Sequence, residues 1–320
     1  MKLGIFTVLF QQLSLEAMLD HVAGMGLQAV ELGTGAFPGD AHCKPDELLK
    51  SHEKAQAFRK AVESRGLIID ALSCHGNPLH PERATAAEYD RIFRNTVLLA
   101  SEMEVPVVNL FSGCPGDSDG AKYPNWVTCT WPPDFGTILK WQWEAKVIPY
   151  WQEAGKFAAD HGVKLAFEMH PGFVVYNPET LLKLRKAVGP VVGANYDPSH
   201  LYWQGIDPVA SIRSLQGAIH HFHAKDTYID PTNTAINGVL DTKPYSELAQ
   251  RSWTFRTVGF GHDQLAWRQM MSALRLAGYD YVISIEHEDP LLSIDEGFSK
   301  AVTFLKDVLL NEQPSTMWWA

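Results

Sequence analysis

The octapeptide Ile219–Asp226, IHHFHAKD, sets three histidines within four positions of a stretch that otherwise reads as a buried strand. In extended chain, successive side chains alternate between faces. His221 and His223 therefore share one face, and His220 and Phe222 share the other. Two imidazoles on one face of a buried strand require something polar in front of them. Three other segments end in the same way. Ala166-Phe167-Glu168, Asn195-Tyr196-Asp197 and Ser284-Ile285-Glu286 each close on an ionisable residue, with a large apolar residue before it and a small or polar one two places back. The middle residue suits an outer face packed on helices, and the outer two suit a common inner face.

The chain around these segments alternates β-rich runs with longer amphipathic ones, as parallel βα units do. Strands are expected at 2–8, 27–33, 67–75, 105–112, 163–170, 191–197, 218–226 and 280–288. Between them lie helical patterns such as SLEAMLDHVAGMG and DQLAWRQMMSALRLAG, several ending in glycine just before the next strand. Eight such repeats predict an α/β fold, a single (β/α)8 TIM barrel over residues 1–320. A doubly wound open sheet normally has a glycine-rich turn after its first strand, and FTVLFQQLS has none.

Two connections are oversized and both follow the C-terminal ends of strands, where barrel active sites are built. Residues 113–143, after strand four, hold four tryptophans; residues 227–262 follow strand seven. So many aromatics argue for an ordered lid over a ring-shaped ligand, or for a subunit contact. The tail MWWA (317–320) is expected to be tied down or covered by a second subunit, so a homo-oligomer is allowed. At 46% hydrophobic and 20% charged the composition is that of a soluble globular protein. The net charge of −10 offers no footprint for nucleic acid, and no 18-residue apolar run crosses a membrane. Cys43, Cys74, Cys114 and Cys129 have no C-x-x-C spacing and read as reduced thiols of a cytoplasmic protein.

Taken singly, each ionisable strand end has an ordinary explanation: a core histidine, or an acidic N-cap for the next helix. Taken together they converge on one barrel mouth. Three carboxylates crowded there would repel one another and be forced to take up protons unless a cation sat among them. Glu168, Asp197, His223 and Glu286 supply an O3N donor set for one divalent ion per chain. Mn2+ stands foremost, and Mg2+, Co2+ and Zn2+ are also accommodated. His75, His170, Arg256 and His262 are further polar groups expected near the mouth.

These segments resemble the xylose isomerase-like barrels of the AP endonuclease 2 superfamily, which include sugar isomerases and epimerases, ketose 3-epimerases, inosose dehydratases and an endonuclease branch. The likeness spans nearly the whole chain. It is carried by FEMHPG (167–172), NYDPSHLYWQG (195–205), HHFHAKD (220–226), TVGFGHD (257–263) and GYDYVISIEHED (278–289). It implies the same four ligands and a substrate contact for His200, and Lys225 and Asp226 match the "KD" that commonly follows the ligand histidine. There are departures. Val174 and Ile229 stand where ketose 3-epimerases carry a glutamate and an arginine, and Gly259-Phe260-Gly261 stands in place of the usual Gly-Glu-Gly.

A divalent ion in such a site polarises a carbonyl and stabilises an enediolate. Glu168 and Glu286, on different strands, are the expected proton-transfer groups. His75, His170, His200, Lys225, Arg256 and His262 are the expected substrate contacts. The reading is a metal-dependent sugar isomerase or epimerase. The alternative is a lyase acting by β-elimination or dehydration on a keto-sugar, a 3-keto-glycoside or a keto-inositol. The expected partner is a small carbohydrate.

Overall fold

The computed structural model describes residues 1–320. Strands β1 (Lys2–Phe6), β2 (Ala29–Gly33), β3 (Ile68–Ser73), β4 (Val107–Leu110), β5 (Lys164–Glu168), β6 (Val192–Tyr196) and β7 (Ile219–Ala224) belong to one sheet. Two further strands, β8 (Asp226–Ile229) and β9 (Trp253–Arg256), form a separate antiparallel pair. The last strand, β10 (Val282–Ile285), pairs in parallel with both β7 and β1 and closes the barrel. The expected (β/α)8 barrel is therefore present, with each strand shorter than its apolar run.

Helices fill the outside for reasons that are local in sequence. Ser14, Ser51, Asp207, Asp263 and Ser293 each accept a backbone N–H at a helix start. Asn177 and Thr180 satisfy each other's backbone in a capping box. Between barrel and helices, Trp151, Trp267, Phe167, Tyr196, Phe222 and Phe298 are almost completely buried. Phe167, Tyr196, Phe222 and Ile285 are the outward residues of the four strand-end triplets, as alternation requires. Inside the barrel, a small separate cluster of Ala71, Val107 and Ala166, packed by Tyr281, lies apart from this main core.

Two expectations, on the end of strand seven and on the tail, need correction, and the long 113–143 connection resolves into defined parts. Strand seven does not run to residue 226. It ends at Ala224, and Asp226 opens the β8–β9 hairpin, so the 227–262 connection is largely structured. The 113–143 connection is irregular only to Pro132; a helix then runs Pro133–Trp141, through a π turn at Gln142–Val147, into a helix at Ile148–Asp160. The π turn immediately precedes Pro149, which has no N–H for the Ala145 carbonyl. The tail is not tied down within the chain, since Trp318 and Trp319 are exposed. All four cysteines are free, and no helix is long and apolar enough to cross a membrane.

One buried carboxylate holds the hairpin to the barrel. Asp226 Oδ2 accepts the backbone N–H of Gly259 (3.0 Å), Gly261 (3.2 Å) and His262 (3.0 Å), and Oδ1 accepts Thr227 N–H (2.8 Å) and His262 Nδ1 (2.7 Å). Gly261 passes so close that an added Cβ would stand 2.3 Å from the Thr227 carbonyl oxygen. Asp226→Ala would leave these donors buried and unpaired. The expected loss is roughly 3–5 kcal/mol of stability, read as a lower urea midpoint, with Gly261→Ala shifting the midpoint in the same direction.

Candidate metal centre

The four predicted ligands meet. Glu168 ends β5, Asp197 follows β6, His223 lies in β7 and Glu286 follows β10. One donor atom from each lies within 4.8 Å of the others. His223 is central: its Nδ1 is 2.9 Å from Glu286 Oε2 and 3.3 Å from Glu168 Oε2.

The opposite edge of that imidazole meets a residue that sequence reasoning missed. Glu31, from β2, is fully buried and has both carboxylate oxygens 2.9 Å from His223 Nε2. It also accepts Asn109 Nδ2 (2.9 Å), Ser284 Oγ (2.8 Å) and Ser73 Oγ. Burial pushes the Glu31 carboxyl up, but the imidazoles of His223 and His221, together with the hydrogen bonds, outweigh it and hold the group well below the usual carboxylate range. Burial disfavours the His223 imidazolium, but Glu31 on one edge and Glu286 and Glu168 on the other hold its pKa well above the usual value; with Glu31 keeping a proton on Nε2, Nδ1 is the atom that would give up its proton to an ion. Asp70, from β3, was missed too; its Oδ2 is 2.7 Å from His221 Nε2, while His221 Nδ1 stands 3.0 Å from both Asn109 and Asn195. Both acids lie inside runs, LQAVELG and LIIDALSCH, that read as apolar strands. The available signal was that a carboxylate within a buried strand must have a partner.

Four of the six expected substrate contacts join the cluster. His75 Nε2 is 3.0 Å from Glu168 Oε2. His200 Nε2 is 3.1 Å from Glu168 Oε1 and 3.2 Å from Asp197 Oδ2. The His170 ring lies 4.0 Å from that of His200, centroid to centroid. Burial, with the charge of His200, pushes the His170 imidazole down to about 3. Lys225 is buried with its Nζ 3.0 Å from Glu286, 3.2 Å from Asp197 and 3.1 Å from Glu288. Burial disfavours this ammonium, but the surrounding carboxylates hold its pKa well above the usual lysine value. The other two residues lie elsewhere. Arg256 Nε donates to Asp289 (3.0 Å), and His262 donates to Asp226 and stacks on Tyr202 at 3.5 Å. Both brace the connection after β7.

A cation fits this donor set. Asp197 Oδ2 and Glu286 Oε2, together with the Nε2 atoms of His75 and His200, are buried without an aligned hydrogen-bond partner. Their short contacts to imidazoles and to Lys225 are contacts of charge, not of hydrogen-bond geometry. Asp197 and Glu286 share a single lysine ammonium, Lys225, and three carboxylate oxygens with one imidazole suit a divalent ion.

Above the cluster opens a chamber of about 420 Å3. Its walls come from both long connections, with Trp126 on one side and Tyr245, Trp253 and Phe255 on the other, and it reaches down to His170 and His200. A larger hollow of about 690 Å3, bordered by Met1, Tyr281 and Lys306, adjoins the starts of β1 and β10 and shares no residue with the cluster.

Known proteins were compared with this architecture. The family model for the xylose isomerase-like TIM barrel matches residues 19–308. Uncharacterized protein YfiH of Bacillus subtilis (strain 168) is 41% identical over 97% of this chain and 99% of its own length. An inosose dehydratase of Geobacillus thermodenitrificans (strain NG80-2) is 25% identical over 48% of this chain and 50% of its own. Among solved structures, the IolI protein with a binding zinc atom superposes with a TM-score of 0.65 at 19% identity, covering 97% of this chain and 98% of that one. D-psicose 3-epimerase superposes with a TM-score of 0.62 at 16% identity, covering 97% and 99%. The family match, a closed barrel and an acidic cluster at the barrel mouth lead to one assignment: this chain belongs to the xylose isomerase-like TIM barrel family.

Proposed function

We propose that this chain is a divalent-metal-dependent sugar isomerase or epimerase that moves a proton on a carbon next to a carbonyl. The observation that carries this reading is the placement of two carboxylates, Glu168 and Glu286, on either side of His223 Nδ1. In the barrel order β10, which leads to Glu286, lies next to β7 on one side, and β5, which carries Glu168, lies two places away on the other. Glu168, Asp197, His223 and Glu286 would hold the ion. When bound, the ion supplies Lewis acidity that polarises the carbonyl and offsets enediolate charge.

The chain's own residues divide the remaining work. Glu168 is steadied by His75 and His200 and takes the proton from one face of the sugar. Glu286, beside the Lys225 ammonium, delivers a proton from the other face. Lys225 is also placed to hold a substrate hydroxyl. No lysine or arginine lines the chamber, which suits an unphosphorylated sugar. Glu31 acts through His223, fixing its tautomer and ring orientation.

A second reading, β-elimination from the same enediolate, is favoured by the epimerase departures. Val174 is a buried apolar residue and Ile229 lies in the β8 hairpin, so neither supplies the acid or the cation of the ketose 3-epimerases. The similar inosose dehydratase points the same way. The two readings differ in product mass.

Three outcomes follow. Incubating the manganese-loaded protein with a panel of keto-sugars in D2O should place deuterium on carbon, and Glu168→Gln or Glu286→Gln should reduce that rate by about 10²–10⁴-fold. An unchanged product mass apart from deuterium marks the isomerase, and loss of water or of an aglycone marks the lyase. No exchange with any member of the panel would end both readings. Glu31→Gln should weaken metal binding by about 10–100-fold, measured by competition with a chromogenic chelator. Stripping the protein with chelator should lower its Tm, and saturating Mn2+ or Zn2+ should restore about 2–3 kcal/mol at a hundredfold excess over Kd.

A further inference from the structure

One ammonium reaches into the donor set. Lys225 follows the ligand His223 by two positions, and its Nζ stands 3.2 Å from Asp197 Oδ2 and 3.0 Å from Glu286 Oε2. Of the carboxylate oxygens that would hold the ion, these two are buried without an aligned hydrogen-bond partner. Lysine and ion therefore address the same atoms.

The contacts of Lys225 differ in kind. Its aligned hydrogen bond goes to Glu288 Oε2 (3.1 Å), a half-exposed carboxylate outside the donor set. The Phe255 ring lies 4.7 Å from the ammonium and attracts it through its negative face. Glu288 and Phe255 can thus hold the ammonium without any ligand oxygen, whereas Asp197 and Glu286 hold it by charge alone.

Charge decides the outcome when a second cation needs those oxygens. Lys225 and Asp197 are almost fully buried, so water and salt do little to screen one cation from the other. A divalent ion carries twice the charge of the ammonium and would draw on Glu168 and His223 as well. The ammonium is the cation that gives way, and it has partners to fall back on.

We propose that Lys225 is a built-in competitor of the metal: it neutralises Asp197 and Glu286 until a divalent ion takes their oxygens, and then withdraws onto Glu288 and Phe255. There its ammonium is released for a substrate hydroxyl. The ion is consequently held less tightly than its four ligands alone would hold it, which makes it exchangeable. This rests on the ligand set given under the proposed function, not on the sugar chemistry. A lysine that only braced the ligands would have the opposite signature, since its removal would loosen them and weaken the ion.

The test is Mn2+ affinity at mildly alkaline pH, where the carboxylates are ionised, by competition with a chromogenic chelator for wild type, Lys225→Met and Lys225→Arg. Lys225→Met should bind Mn2+ about tenfold tighter or more, and Lys225→Arg, which keeps the charge, should stay within about threefold of wild type. Unchanged or weaker binding in Lys225→Met, or equal tightening in Lys225→Arg, would overturn the proposal. A measurement on wild type covers the case in which Lys225→Met does not fold. Reductive methylation followed by peptide mass spectrometry should label Lys225 about threefold faster or more in Mn2+-loaded than in chelator-stripped protein, as the amine leaves the buried oxygens. An equal or slower rate counts against the competition. The two proposals fail separately. Wild type that takes up no Mn2+ sinks the metal reading and this inference together. Mn2+ binding without tightening in Lys225→Met sinks only the role of the lysine.

Discussion

Negative charge concentrated inside the barrel is the constraint to which the rest of the molecule responds. Glu31, Glu168 and Asp197 are buried or nearly so, Glu286 is only slightly more open, and all lie around one imidazole. Carboxylates in such a place either take up protons or acquire a counter-charge. Lys225 and His200, whose pKa values the neighbouring carboxylates hold up against burial, provide part of that charge from protein. The unaligned oxygens of Asp197 and Glu286 mark where a divalent ion fits.

The interior beneath the mouth is a support, not a void. Ser73, Asn109, Asn195, His221 and Ser284 join Glu31 and Asp70 in one hydrogen-bonded layer spread over β2, β3, β4, β6, β7 and β10. Polar groups held by several hydrogen bonds have their side-chain rotamers closely fixed. Side chains that would hold an ion tolerate little play, and a layer of this kind limits it. The connections act at longer range: Asp226 ties the turn at 259–262 back to the end of β7, which in turn carries Phe255 and Trp253 over the cluster.

Much of this is legible in the sequence. Alternation along four strand ends was enough to put Glu168, Asp197, His223 and Glu286 on one inner face, because side-chain direction in a strand has a period of two. The same alternation placed His221 below His223 and Phe222 outside. Arg256 and His262 show the limit. Proximity in sequence to the strand-seven connection suggested the mouth, but their partners Asp289 and Asp226 lie 33 and 36 residues away along the chain. The hairpin and the helix starting at Pro133 were hidden because aromatic-rich segments carry no clear period.

Sequence alone determined the closed barrel and the four convergent donor residues, since the first follows from a short-range periodicity repeated eight times and the second from alternation at four strand ends. Only the tertiary structure decided that Glu31 grips the far edge of His223, that Lys225 enters the carboxylate cluster, and that two distant connections close an aromatic chamber above it. Those contacts join residues from about thirty to nearly two hundred positions apart, and no local pattern encodes them. They exist because barrel closure brings the strand ends to one axis, where buried charges must find partners.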